Sequence, residues 1–411
     1  MSLKKGKIWP LLFYKEILLI LLPMVLISLY GVSFFKSSLF YANNESIPYT
    51  NLLILFNVVF FLLCLAISSR FFIVSKISYN TIDIEKNAMI FLVSAMLLGI
   101  IILVFSLLFL GYKHAFISTI LSGENLLVAR ISNKYSTSLP SQFMRLITIS
   151  FWMSSVLAGV YYYSKKTRLA FVCLLVSLFL ASADGGKAPI VISIVLFVST
   201  VLYLSKDRIN FKKYLAFSPF YFLFIFSFIY YITSLQLSNL SFTSFIEYLV
   251  NRIGVGQMSG VYETFAIPEL KGDYYLHSIP FASYFFEYPT YDKDLMVYVE
   301  NLDPSKTGVK NSFFLSESFG AFGWFGAFIF PFWIGIVYPI NYYLIHKFLS
   351  TFASHQVAML IAQPFFFMSF SLNGGVSSLL LFKGLIFNLI LLTIFILNFY
   401  LFKIVRGFIF K

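Results

Sequence analysis

Apolar residues in this chain fall in long unbroken runs, and polar residues gather between the runs. A helix needs about 20 apolar residues to cross the hydrocarbon layer of a bilayer. Runs of roughly that length lie near 16–38, 51–72, 88–111, 146–164, 169–183, 188–205, 214–235, 318–345, 355–372 and 377–402. They lack the period-two alternation of barrel strands, and in lipid every backbone amide needs a partner inside its own segment, so helices are predicted. The expected fold is an all-α integral membrane protein, one transmembrane domain over 1–411 built as a polytopic bundle of about ten helices. Most connections are short. The exceptions are 112–145 and, larger, 236–317. Long loops in compact proteins are usually functional, so the chemistry is expected on the face that carries these two.

Composition strengthens this reading: 59% of the 411 residues are hydrophobic and 11% are charged, against roughly a quarter charged in a soluble domain. Charge then orients the chain, because short cytoplasmic loops collect lysine and arginine. With the N-terminus inside, eighteen of the 30 basic residues and four of the 17 acidic ones fall on the cytoplasmic side, a net of +14. The other face holds twelve basic and thirteen acidic residues, a net of −1. The overall charge of +13 is therefore a topology signal, and no nucleic-acid partner is implied. Both termini are expected to be cytoplasmic, with the active face on the opposite side of the membrane. The first apolar run is too long for a cleavable signal peptide and is expected to remain as an anchor.

Several classes of chemistry are disfavoured by motif. A G-x-x-x-x-G-K-[ST] phosphate loop is absent, as are H-E-x-x-H and G-x-S-x-G. Cys64 and Cys173 both lie inside apolar runs, where they act as small hydrophobes. No metal or cofactor is expected.

Candidate chemistry gathers in the two loops and in one hairpin. From Phe242 to Ile253, apolar residues recur at helical spacing with Arg252 on the flank of the stripe. An interfacial helix there would hold a guanidinium at headgroup depth. The hairpin Asp184-Gly185-Gly186-Lys187 joins two spans, its glycines permitting a tight turn and its charges lying close to the membrane, where charge is costly and usually functional. Loop 112–145 adds Arg130 and Arg145, the latter at the start of a span. Together with Lys271 and Lys310 these make a basic set suited to a pyrophosphate. The large loop also carries His277, Asp292, Asp294, Glu300 and Asp303, with Glu317 at its junction with the next span. His277 and Glu317 are the candidates for a base that deprotonates an attacking hydroxyl. The many tyrosines and phenylalanines of this loop suit either stacking on sugar rings or an interfacial aromatic belt.

Three features resemble the Wzy-type polymerases of O-antigen and capsule repeat units. These are the long outer loop before the last few helices, the hairpin Ala181-Ser182-Ala183-Asp184-Gly185-Gly186-Lys187, and the run Ser316-Glu317-Ser318-Phe319-Gly320-Ala321-Phe322-Gly323-Trp324-Phe325-Gly326, similar to that family's glutamate followed by Phe-Gly and Gly repeats. The chain departs from the pattern at Lys187, where arginine is usual, and at Glu263, which stands eleven residues after Arg252 where a loop motif of some members has glycine. The resemblance implies a C-type glycosyltransferase-like architecture. It also implies polymerisation of undecaprenyl-pyrophosphate-linked oligosaccharides on the outer face, with membrane lipid, a flippase and a chain-length regulator as partners. An O-antigen ligase differs in its acceptor and is the nearer alternative. A lipid-linked oligosaccharide flippase would be expected to bury charges within its spans, and a purely structural membrane protein has little use for the charged hairpin.

Overall fold

The computed structural model describes residues 11–31, 45–71, 86–123, 125–126, 128–130, 141–183, 185–205, 223, 226–227, 229–235, 240–256, 258–270, 272–282, 285–301, 310, 312–351, 353–369, 372 and 377–409. In chain order the helices are α1 (Leu11–Tyr30), α2 (Ser46–Phe71), α3 (Lys86–Phe109), α4 (Ala115–Ser122), α5 (Ser141–Tyr163), α6 (Thr167–Ser182), α7 (Lys187–Leu204), α8 (Phe242–Leu249), α9 (Ser259–Thr264), α10 (Tyr291–Glu300), α11 (Phe314–Leu349), α12 (His355–Ser369), α13 (Ser377–Leu380) and α14 (Lys383–Ile409). A π-helical turn, Val250–Val255, continues α8, and a 3-10 turn spans Tyr274–Ser278. No β-strand occurs among the described residues. Five of these helices, α2, α3, α5, α11 and α14, are long and apolar enough to cross a membrane, and four further apolar stretches are shorter. The architecture is that of a helical membrane protein. Most of the predicted 214–235 span lies outside the described residues.

The chain divides into two compact units, with boundaries after residue 77, inside α8, at the last residues of α11 and α12, and inside α14. The first contains α1, α2, the π turn, α9, α10, α11, α13 and the start of α14. Here α2 and α11 pack through Phe61 against Phe314 and Tyr338, with ring centroids 6.0 and 5.9 Å apart. Pro339 has no N–H for the carbonyl of Gly335, one turn back, which would leave that oxygen unsatisfied in an apolar setting. The Ser68 hydroxyl of α2 lies 2.8 Å from it and 2.6 Å from the Cys64 carbonyl of its own helix, so its one hydrogen is shared between the two. Among the described residues of segment 236–317, the predicted amphipathic stretch appears as α8 and the π turn, and α9 and α10 come after it.

The second unit is organised around α5, packed by α3, α6 and α7. Its contacts use small polar residues: Ser155 Oγ lies 2.6 Å from Ser177 Oγ, Ser177 Oγ donates to Phe151 O at 2.7 Å, and Ser154 Oγ to Cys173 O at 3.0 Å. Lipid supplies little hydrophobic drive between helices, so close approach and interhelical hydroxyl bonds, worth about 0.6 kcal/mol each, carry the packing. α5 starts at Ser141, ahead of the predicted 146, because Ser141 and Gln142 continue the helix while diluting its hydropathy. Arg145 therefore lies a turn inside the helix and does not begin it.

Candidate functional site

The densest polar cluster of the first unit lies where α9, α10 and the beginning of α11 meet. Tyr291, Leu295 and Val299 form the buried stripe of α10 and pack with Tyr274 of the 3-10 turn. A side chain at Gly320 would collide with the Tyr291 ring, so glycine there lets α10 lie flush on α11. This contact fixes Asp292, the next residue, in the interface. Its side chain is buried, Ser312 Oγ donates to its Oδ1 at 2.7 Å, and it is hydrogen-bonded to the carboxyl of Glu317 in the first turn of α11. Two carboxyls can share such a bond only with a proton between them. Burial first, and the neighbouring Glu317 second, hold Asp292 well above the usual carboxylate range, against the opposing Ser312 bond. The pair thus shares a proton in the bond between the two carboxyls.

Around this pair the other charges are matched. Lys310 Nζ lies 3.0 Å from Glu263 Oε2 of α9 and 3.0 Å from Glu300 Oε1 of α10. Glu263 is fully buried. Thr264 Oγ1 is 2.5 Å from Ser316 Oγ, the Tyr291 hydroxyl bonds to Thr264, and Tyr274 donates to Asp294 at 3.1 Å. Burial chiefly pushes the Tyr274 and Tyr291 hydroxyls well above their ordinary range, so both stay neutral. Tyr262 of α9 donates to Asn51 Oδ1 of α2 at 2.7 Å, which ties the cluster to a membrane-length helix.

Glycine also shapes the helix beyond Glu317. Gly323 takes φ 60°, ψ −148°, a conformation that breaks α11 in two and is open to glycine without strain. At Gly326 a side chain would meet the Ser318 carbonyl, so the two pieces close tightly across the kink. The Gly repeat read in the sequence thus seats Tyr291, turns the helix and closes the turn, leaving Glu317 on a short piece ahead of the long apolar one.

The predicted site residues separate between the two units. Glu317 and Lys310 enter the cluster just described, but the Lys310 ammonium sits between two carboxylates and is not presented to an anion from outside. His277 is half-buried on the 3-10 turn, with its ring 5.8 Å from that of Tyr288, and its carbonyl accepts from Lys383 Nζ. Arg252 lies in the π turn, an irregularity common at functional sites. Its side chain, that of Lys187, and residues Asp184, Lys271 and Asp303 lie outside the described part.

In the second unit, Gly185 has φ +68° and stands under Arg130: a Cβ there would come within 2.8 Å of Arg130 Cγ. Gly186, extended, precedes Lys187 at the first position of α7. The hairpin is held by Ala115 N–H donating to Ala183 O at 2.9 Å. Nearby, His114 caps α4 and its Nε2 bonds to Phe179 O at 3.1 Å; burial, outweighing these bonds, lowers its pKa. Arg145 lines a cavity of about 240 Å³ whose other walls include Thr148, Phe151, Leu180, Pro189 and Met368. It is the one charged residue on that lining.

Glu263 and Ser312 were not candidates from sequence. The only signal for Glu263 is a carboxylate standing alone in the otherwise uncharged stretch from Ile253 to Pro268. No family model matches the chain, and no curated protein or solved structure matches it either.

Proposed function

We propose that this chain is a membrane glycosyltransferase of about ten spans, both termini cytoplasmic, that polymerises undecaprenyl-pyrophosphate-linked oligosaccharide repeat units on the outer face of a bacterial inner membrane. The observation that carries the reading is the hydrogen-bonded carboxyl pair of Asp292 and Glu317, set where segment 236–317 runs into a long apolar helix. In the transfer, an acceptor hydroxyl bonds to the anomeric carbon as that carbon's bond to the pyrophosphate oxygen breaks. The leaving group departs as an anion, so the protein's task is to accept the hydroxyl proton and to stabilise charge. Glu317 takes the proton, and Asp292, through the bond they share, fixes its orientation. Two lipid-linked substrates take part, each with a pyrophosphate, and the candidate cations fall in two groups: Arg252 in one unit, and Arg130, Arg145 and Lys187 in the other.

The test uses a strain lacking the native gene, complemented with Glu317→Gln, Arg252→Ala or Lys187→Ala, with glycan length read on gels and protein level measured in parallel. Each variant is expected to shorten the polymer towards single-unit caps. Full-length ladders from Glu317→Gln and Arg252→Ala at normal protein levels would refute the assignment. The deletion phenotype separates the rival activities: single-unit caps mark a polymerase, an undecorated lipid A core a ligase, and loss of all outer-face lipid-linked units a flippase.

A further inference from the structure

The turn after the 3-10 segment has an unusual surface. Phe285 and Phe286 stand side by side with 78% and 59% of their surface exposed, and Phe281 is 39% exposed. They are not on a loose tail. The amides of Phe285 and Phe286 both donate to Ala282 O at 2.9 Å, and Phe281 is held at φ +63°, a region a bulky residue enters only when its surroundings require it. The turn is fastened to the beginning of α14: Lys383 Nζ donates to the His277 carbonyl, and the Phe281 ring packs 5.2 Å from that of Phe387. α14 is among the helices long and apolar enough to cross a membrane, and Lys383 is its first residue. A lysine at the end of such a helix marks the headgroup layer, where aromatic side chains also collect. Leu381, exposed just before Lys383, continues the apolar surface from the turn towards the helix.

We infer that Phe281, Phe285 and Phe286 form an aromatic foot that seats Phe285 and Phe286 in the interfacial layer of the lipid bilayer at the Lys383 end of α14. The partner is the phospholipid surface itself, reached by rings that water would otherwise face. This anchor is independent of the glycosyl-transfer reading, because it requires only that α14 crosses the bilayer.

The test places a nitroxide spin label on the full chain, with Cys64 and Cys173 replaced by alanine. Phe286→Cys carries the label at the foot, and Leu397→Cys, on the exposed surface of α14, serves as the lipid-facing control. After reconstitution in phosphatidylcholine vesicles, power saturation compares collision with oxygen, which concentrates in lipid, against a water-soluble nickel chelate. At position 286 oxygen should win severalfold, approaching the control at 397. Equal access to both reagents would overturn the inference and leave the rings free for another use, such as stacking on sugars. Shielding from both reagents would overturn it too, by showing a protein contact. Phe285→Cys read in the same way guards against a local fault at 286.

Discussion

Replacing Asp292 separates its role as a proton carrier from its role as a charge. In Asp292→Asn the amide oxygen can still accept from Ser312 and the amide nitrogen can donate to Glu317, so the variant keeps both bonds without a titrating group. Its stability at neutral pH should stay within about 1 kcal/mol of the parent. Asp292→Ala removes the group and leaves the buried Ser312 hydroxyl without this acceptor, so the loss should be about 1–3 kcal/mol. The pH dependence carries the finer test. Asp292 has its folded-state pKa raised above the unfolded value of about 3.9. Above that pH the folded state binds more protons than the unfolded one, so stability is fully present below about pH 4 and declines as pH rises through the raised folded value. The slope approaches about 1.4 kcal/mol per pH unit for one proton. Thermal unfolding of the detergent-solubilised chain, followed by tryptophan fluorescence from pH 4 to 8, should show this decline in the parent and a flatter profile in Asp292→Asn. An asparagine variant that keeps the parent's slope, or one as unstable as the alanine variant, would refute the proton-carrying role of Asp292.

Two further outcomes are expected from the same cluster. Gly320→Ala should force the Tyr291 ring off α11 and cost about 1–3 kcal/mol as an overpacked contact, read as a lower melting temperature, while the same change at exposed Gly407 should be nearly silent. Lys310→Met leaves Glu263 buried beside no ammonium, and should destabilise the fold by about 3–5 kcal/mol in chemical or thermal unfolding; a second change, Glu263→Gln, should recover part of that loss.

Much of the fold could be read directly, because membrane helices declare themselves by length and hydropathy. The stretch Phe242–Ile253 also declared its helical spacing, although the π turn that finishes it has no sequence signature. Glu317 stood out by its place at a junction. Asp292 was one carboxylate among five candidate acids in its loop, and its distinguishing feature is a partner brought in by the α10–α11 packing. The same holds for Lys310, whose charge looks available until Glu263 and Glu300 close on it. Gly320 was noticed as part of a repeat, but its reason is the ring of Tyr291, which only the folded arrangement supplies. Pairings between distant segments leave no periodic trace in the chain.

The bond from Ser68 to the Gly335 carbonyl has a mechanical consequence. Of the two prolines inside α11, Pro339 bares the Gly335 carbonyl at one depth, and a hydroxyl on α2 reaches it. Sliding α2 along α11, or rolling it by a residue, would strand that oxygen in an apolar setting at a cost of several kcal/mol. The ring contacts of Phe56, Phe60 and Phe61 along the same helix pair tolerate small shifts, whereas this bond holds one register at one depth.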